Sequence, residues 1–165
     1  MWPKAILFLA TLGPIGQKCP APGTFGSLAG VLLLSILFFT TNLSFLQIGL
    51  VFIPLILLGI PLCSQAEEIT GKSDPGEIIW DEFTSIPLVY IGLPASISLV
   101  NPREMLIWMI VGFIYFRIFD IIKPMGIKKI QHIGKGLGVM IDDVLAAIYA
   151  AGMLHLTFTF SLSFF

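Results

Sequence analysis

The chain reads as an all-α integral membrane protein, a compact helical bundle of about four to five transmembrane helices with a polar site at the cytoplasmic face. Of its 165 residues, 56% are hydrophobic and only 12% are charged. Mean hydropathy is +0.97, far above the soluble average. The apolar residues also gather into runs close to the ~20 residues that a helical crossing needs. A net charge of −1 gives no basic excess, so no nucleic acid partner is expected. The length suits a single membrane-embedded domain over residues 1–165.

The N-terminal "MWPKAILFLATLG" resembles a weak signal peptide, but no small-x-small cleavage pattern follows, so it reads as retained. Its segment 5–13 is too short to cross and reads as re-entrant or interfacial. Spans are expected at 27–41, 43–62, 83–100, 104–122 and 137–157, the first starting as early as Thr24. Pro54 and Pro61 predict a kink in the second. The tail "LTFTFSLSFF" alternates and is left unplaced. Cys19 and Cys63 lie beside membrane boundaries with no second Cys or His at ligand spacing, and read as unpaired thiols.

Alternation of these spans puts 13–27, 63–82 and 121–136 on one face and 101–104 on the other. Lys18, Lys72, Arg117, Lys123, Lys128, Lys129 and Lys135 belong to the first face, Arg103 to the second, and Lys4 to neither by this argument. The positive-inside rule makes the first face cytoplasmic. Nine of the ten acids collect there too, leaving Glu104 opposite. Acids do not set topology, so their gathering is a separate observation. A carboxylate without a partner inside a membrane helix costs ~2.5–3.5 kcal/mol. Such groups are expected to face the bundle interior around a functional site.

Four stretches carry the chemistry. "APGTFGSLAG" sets Gly23, Thr24, Gly26 and Ser27 ahead of an apolar helix. Glycines allow close backbone approach and hydroxyls add donors suited to phosphate. On residue type alone, a plain turn with an N-cap at Thr24 or Ser27 is the better reading. "KSDPGEIIWDEF" holds Asp74, Glu77, Asp81 and Glu82. A helix from Pro75 would stack Glu77 on Asp81, and a cation site competes evenly with solvated acids. In "FRIFDIIKP", Arg117, Asp120 and Lys123 share a helix face that Pro124 ends. They form either an internal ion network or a metal ligand flanked by phosphate-binding cations. "GKGLGVMIDDVLAAIYAAG" places Asp142 and Asp143 one to two turns into a helix, where adjacent carboxylates call for a neutralising cation. The alanines below them suit close helix packing.

Carboxylates from three segments, two or three cations and a Gly/Thr/Ser loop on one face form an apparatus for hydrolysing a phosphate at a membrane surface. Hard oxygen ligands suit Mg²⁺. Attack by water is the simplest scheme, with an aspartyl nucleophile as the alternative.

In order, "APGTFGSL", "DPGEIIWDE", "FRIFDIIKP" and "GLGVMIDDVLAAIYA" resemble the successive motifs of the phosphatidylglycerophosphatase A family, over about residues 20–151. The resemblance implies a Mg²⁺-dependent phosphatase of the bacterial inner membrane, multi-pass, converting phosphatidylglycerophosphate to phosphatidylglycerol within the bilayer. It carries onto Gly23, Thr24, Gly26 and Ser27, then Asp74, Asp81 and Glu82. It continues with Arg117, Asp120, Lys123 and Pro124, and ends with Gly136, Gly138, Met140, Asp142 and Asp143. The expected catalytic set is Asp81, Glu82, Asp120 and Asp143, with Asp74 and Asp142 as further metal ligands. Gly23, Thr24, Gly26, Ser27, Arg117 and Lys123 are expected on the substrate. Departures from the family pattern are Ser85, Gly126, Gln131 and Lys135, none of them a proposed ligand.

The rival from another class is a small divalent-cation transporter or channel using the acids as its pathway, although the far halves of the spans are almost devoid of polar groups. A CDP-alcohol phosphotransferase is the third reading, and its long Asp-rich signature is absent.

Overall fold

The computed structural model describes residues 2–94, 102–124 and 134–162. Among these residues seven α-helices follow one another: α1 (Trp2–Ala10), α2 (Pro14–Lys18), α3 (Pro22–Thr40), α4 (Phe45–Thr70), α5 (Trp80–Ser85), α6 (Pro102–Ile122) and α7 (Lys135–Leu162), with a 3₁₀ turn over Ile86–Tyr90 after α5. Four of them, α3, α4, α6 and α7, are long and apolar enough to cross a membrane. Their outer faces confirm the membrane reading. Leu28, Leu32, Ile36 and Phe39 on α3, and Ile110, Ile114, Ile118 and Ile121 on α6, are large apolar residues left exposed at helical spacing.

Several expected boundaries move. The first span starts at Pro22 rather than within 24–27, because proline is favoured at the first helical position and needs no hydrogen-bond partner there. Ala21 is therefore the N-cap, not Thr24 or Ser27. The Gly23–Ser27 stretch is not a loop but the opening turns of α3. The second span does not end at 62. It runs through Pro54 and Pro61 to Thr70, from a Ser44–Gln47 capping box to a left-handed Gly71 at φ 67°.

The expected third span, 83–100, is not one helix. Pro87 has no N–H to bond the Phe83 carbonyl and its ring crowds that oxygen, so α5 gives way to 3₁₀ geometry. The broken segment is enclosed by its neighbours: Thr84, Ser85, Ile86, Val89 and Tyr90 are buried. Irregular backbone at membrane depth is tolerated where protein surrounds it. Tyr90 donates its hydroxyl to the Met109 carbonyl of α6 at 2.8 Å. The remainder of that span (95–100), Asn101 and the 125–133 loop with Gly126, Lys128, Lys129 and Gln131 lie outside the described residues.

Nor does a helix begin at Pro75. Ile79 caps α5, and its N–H donates to the Ala10 carbonyl at 3.0 Å, so the strand of chain before α5 is tied to α1 instead. Glu77 is thereby removed from the face that carries Asp81. Segment 5–13 falls in α1 and the turn after it, short elements packed against α4 and the 77–79 stretch. The start of the tail continues α7 to Leu162. Cys19 and Cys63 are free thiols.

Small residues set the helix spacing. A Cβ at Gly30 would lie 2.5 Å from the Phe83 carbonyl oxygen, and one at Gly26 would lie 2.9 Å from Ile79 Cβ, so α3 needs both glycines to approach α5. Ala146, Ala147 and Ala150 are fully buried on α7 and let it sit close to its neighbours.

Candidate active site

The starts of α3, α5 and α7 meet the ends of α4 and α6 at one end of the bundle. Asp81 and Glu82 occupy the first turn of α5, and Asp143 lies two turns into α7. One carboxylate oxygen from each of Asp81, Glu82 and Asp143 lies within 4.8 Å of the other two. Asp81 and Asp143 are buried, and the Glu82 side chain is 14% exposed. Asp81 Oδ1, Glu82 Oε2 and Asp143 Oδ2 are each buried without a hydrogen-bond partner. A buried carboxylate oxygen without a partner is costly, and three converging acids that each carry one call for an explanation. They are hard anionic donors, the ligand type that a divalent cation takes, so the residues present fit one.

Cationic side chains border this cluster. Arg117 Nη1 lies 2.7 Å from Asp120 Oδ2, donates to Ser27 Oγ at 3.2 Å and stands 3.9 Å from Glu82 Oε1. Its Nε is buried and has no acceptor. Lys123 pairs with Asp142 of α7. It does so just past the end of α6, from a left-handed backbone (φ 47°) whose N–H still bonds the Phe119 carbonyl. A non-glycine residue held there stores strain of order 1 kcal/mol, and such strain gathers at functional sites.

The balance of charge is acidic. Five carboxyl groups (Asp81, Glu82, Asp120, Asp142, Asp143) face two cations (Arg117, Lys123). On α5, outside the four long spans, burial raises the Asp81 carboxyl well above its ordinary range, and Glu82 beside it adds to this. Glu82 is pushed up to about 8, first by burial and then by Asp143. Burial works against the Lys123 charge, but its bond to Asp142 and the surrounding carboxylates hold its pKa above normal. The cluster has room for added positive charge.

The other anticipated residues take distinct places. Gly23 abuts Glu82 and Arg117, and Ser27, one turn on, donates to the Gly23 carbonyl at 2.9 Å while accepting from Arg117. Gly26 packs on Ile79, away from the carboxylates, and Thr24 is half-buried on the same opening turns. Asp120 is engaged with Arg117, and Asp142 with Lys123. Asp74 sits at the rim, near enough for its charge to act on Asp81.

Three further residues contribute that the sequence does not mark as part of the site. Glu67, buried on α4, accepts the Asp74 N–H at 2.7 Å and so anchors the stretch leading to α5. Ser64 Oγ accepts the Gly136 N–H at 3.0 Å, fixing the start of α7. The Ser85 hydroxyl is buried and unpartnered one turn below the acids. An acid run ending in "AEEIT" was the only hint of Glu67, and it did not separate Glu67 from exposed Glu68.

A family model described as Phosphatidylglycerophosphatase A matches residues 8–158. The chain belongs to the phosphatidylglycerophosphatase A family. It is 44% identical over 133 residues to Phosphatidylglycerophosphatase A of Haemophilus influenzae, covering 79% of this chain and 75% of that one. To the Escherichia coli protein of the same name it is 34% identical over 152 residues, covering 92% of this chain and 79% of the relative. A Bacteroides thetaiotaomicron protein, 32% identical over 134 residues and 79% of each chain, carries the provisional name phosphatidylinositol-3-phosphatase. No solved structure matches the chain.

Proposed function

We propose that this chain is a Mg²⁺-dependent phosphatase that hydrolyses phosphatidylglycerophosphate to phosphatidylglycerol and phosphate in phospholipid synthesis. It acts as one membrane-embedded domain of the bacterial inner membrane, with its site facing the cytoplasm. The observation that carries this reading is the convergence of three acidic side chains, each with a buried oxygen that has no partner, beside an arginine whose Nε has no acceptor. Family membership supplies the lipid, since the two relatives with the highest identities given above are named for it.

Asp81, Glu82 and Asp143 would hold the metal. A divalent cation bound there supplies Lewis-acid polarisation and water of lowered pKa. Arg117 offers its free Nε to a phosphate oxygen, while Asp120 and Ser27 fix its Nη1. Lys123, one of whose three donors is taken by Asp142, offers the others. Glu82, the least buried of the three acids, accepts the proton of the attacking water as the phosphate ester bond breaks and returns it to the departing glycerol oxygen, which leaves as an alcohol. Asp120 and Asp142 then serve as positioning groups for the two cations.

Past the Thr84 and Ser85 hydroxyls the interior below the cluster carries no buried charge among the described residues, with Ile86, Val89, Tyr90, Phe116 and Leu154 packed there. That arrangement favours a surface reaction over a cation pathway, which needs polar groups at every depth.

The test is phosphate release by purified protein from phosphatidylglycerophosphate and from phosphatidylinositol-3-phosphate, with Mg²⁺ and with EDTA. Release from the first lipid, abolished by EDTA, is expected. Preference for the inositol lipid would overturn the substrate, and full activity in EDTA would overturn the metal.

A further inference from the structure

An apolar groove of about 380 Å³ runs down the outside of the bundle between α4, α7 and the 3₁₀ turn, lined among others by Ile56, Leu88, Ile91, Val144, Ile148 and Ala151. We propose that this groove seats one acyl chain of the lipid substrate, so that chain recognition and headgroup chemistry are built on the same helix. The inference rests on the lipid phosphatase reading given above.

Three connections tie the groove to the site. Val144 is the residue after Asp143, so α7 turns one side toward the carboxylate cluster and the next toward the groove. Val144, Ile148 and Ala151 then form a stripe at i, i+4 and i+7 that descends about 10 Å, at ~1.5 Å per residue. On α4, Ile56 follows Leu55, whose carbonyl accepts the Trp80 indole N–H at 3.1 Å, and Trp80 is the neighbour of Asp81. Leu88 comes from the broken segment that begins at Asp81 and Glu82. The head of the groove is thus set by the elements that carry all three carboxylates.

The lining chemistry fits an aliphatic chain. Every named wall residue is aliphatic, and Ile148 is 56% exposed while Ile91 is 38% exposed, so the groove opens outward. On a chain with four apolar spans, the medium outside is lipid rather than water. Two facing ridges with a cleft between them offer an acyl chain more dispersion contact than a flat helix face does. A second copy of the chain or a soluble partner would leave the relation to Asp143 without a purpose.

The test compares phosphatidylglycerophosphate bearing two oleoyl chains with its dibutyryl analogue, whose tails are too short to fill the groove. Ala151→Phe narrows the groove remote from the acids. It is expected to lower kcat/KM for the dioleoyl lipid about tenfold or more, in line with pocket discrimination by a few carbon atoms. Hydrolysis of the dibutyryl lipid should change less than twofold, which also shows that the variant folds. An equal effect on both lipids, or none on the long one, overturns the proposal. Should Ala151→Phe lose both activities, Ile148→Trp at the open rim decides by the same comparison. A dioleoyl-length phosphatidylglycerophosphate with a photoreactive group midway along one chain gives a readout without turnover. Crosslinks are expected on α7 between 144 and 151, and crosslinks spread evenly over the exposed faces of α3 and α6 would overturn the groove. If the wild type hydrolyses neither lipid, the phosphatase reading falls, while the crosslink pattern alone upholds or rejects the groove.

Discussion

Gly23 stands directly against the carboxylate of Glu82: a Cβ at residue 23 would overlap Glu82 Oε1 and come within 3.4 Å of Arg117 Nη1. The group that must yield is the far end of a flexible side chain, so the fold accommodates the change and the site does not. Alanine is also the better helix former by up to ~1 kcal/mol. Gly23→Ala should therefore keep its thermal midpoint while kcat/KM falls roughly 10²-fold, the scale of a 1 Å misplacement. Gly136→Ala makes the contrast, because its Cβ would overlap the Ile60 carbonyl and the Ser64 amide of α4, which are backbone. Overpacking of that kind costs ~1–3 kcal/mol, seen as a lower midpoint. Full activity in Gly23→Ala would mean that the placement of Glu82 does not matter.

The acids separate into two classes that a metal titration can resolve. Asp81 and Asp143 contribute oxygens without partners, whereas Asp142 is held by Lys123. Asp81→Asn and Asp143→Asn should weaken Mn²⁺ binding, followed by paramagnetic resonance, and lower turnover at least ~100-fold. Asp142→Asn should bind Mn²⁺ within a few-fold of wild type. Equal loss of Mn²⁺ affinity in all three variants would assign the cation to the whole acidic group instead. Chelation by EDTA should stop turnover and leave the helical signal intact, since the core packing of Phe45, Phe52, Phe116 and Leu154 is independent of the site.

The helical membrane bundle and its acidic pole were legible because apolar runs and uncompensated charges are strong signals in a medium that penalises polarity. The family followed from four motifs in order. What stayed illegible was local backbone. "GTFGS" has the composition of a loop, and its helical state depends on Pro22 before it and on α5, which needs glycines opposite Ile79 and Phe83. The break at Pro87 was hidden within an apolar run whose hydropathy alone reads as a span. Glu67 looked like Glu68 until the fold turned one toward the Asp74 amide and the other toward Lys135 at the surface.

Glu67 supports a prediction of its own. Its Oε1 accepts the Asp74 N–H at 2.7 Å, and Asp74 holds a left-handed backbone at φ 47°. Glu67→Gln preserves an acceptor at that point and should stay within about threefold of wild type, whereas Glu67→Ala loses a hydrogen bond to a charged group, worth ~1.5–3 kcal/mol. Activity in Glu67→Ala should fall about tenfold, with faster amide exchange confined to residues 71–79. Equal activity in the two variants would show that the chain before α5 holds its shape without Glu67.

The orientation of the bundle can be read from outside the cell. Cysteine placed at Ser73 belongs to the site end, and cysteine at position 101 comes one residue before α6, whose start lies at the opposite end. Both would be introduced in a background lacking Cys19 and Cys63. With the basic residues at the site end, an impermeant maleimide applied to intact cells should label position 101 and spare position 73 until the membrane is opened. The reverse pattern would place the phosphatase site outside the cytoplasm.

Lys123 has two possible duties, counterion to Asp142 and donor to phosphate, and stability and turnover separate them. Lys123→Ala leaves Asp142, only 2% exposed, without its cation. Breaking such a pair by removing one partner costs ~3–5 kcal/mol, most of it from the stranded charge. Adding Asp142→Asn removes that charge, so the double variant should recover most of the lost thermal stability. Hydrolysis should not recover with it if Lys123 is the proposed donor to the phosphate, because its amine is gone in both variants. Lys123→Arg, which keeps the charge but not the geometry, should retain partial activity. Return of near-wild-type hydrolysis in the Lys123→Ala/Asp142→Asn protein would reduce Lys123 to a structural counterion and leave Arg117 as the cation on the phosphate.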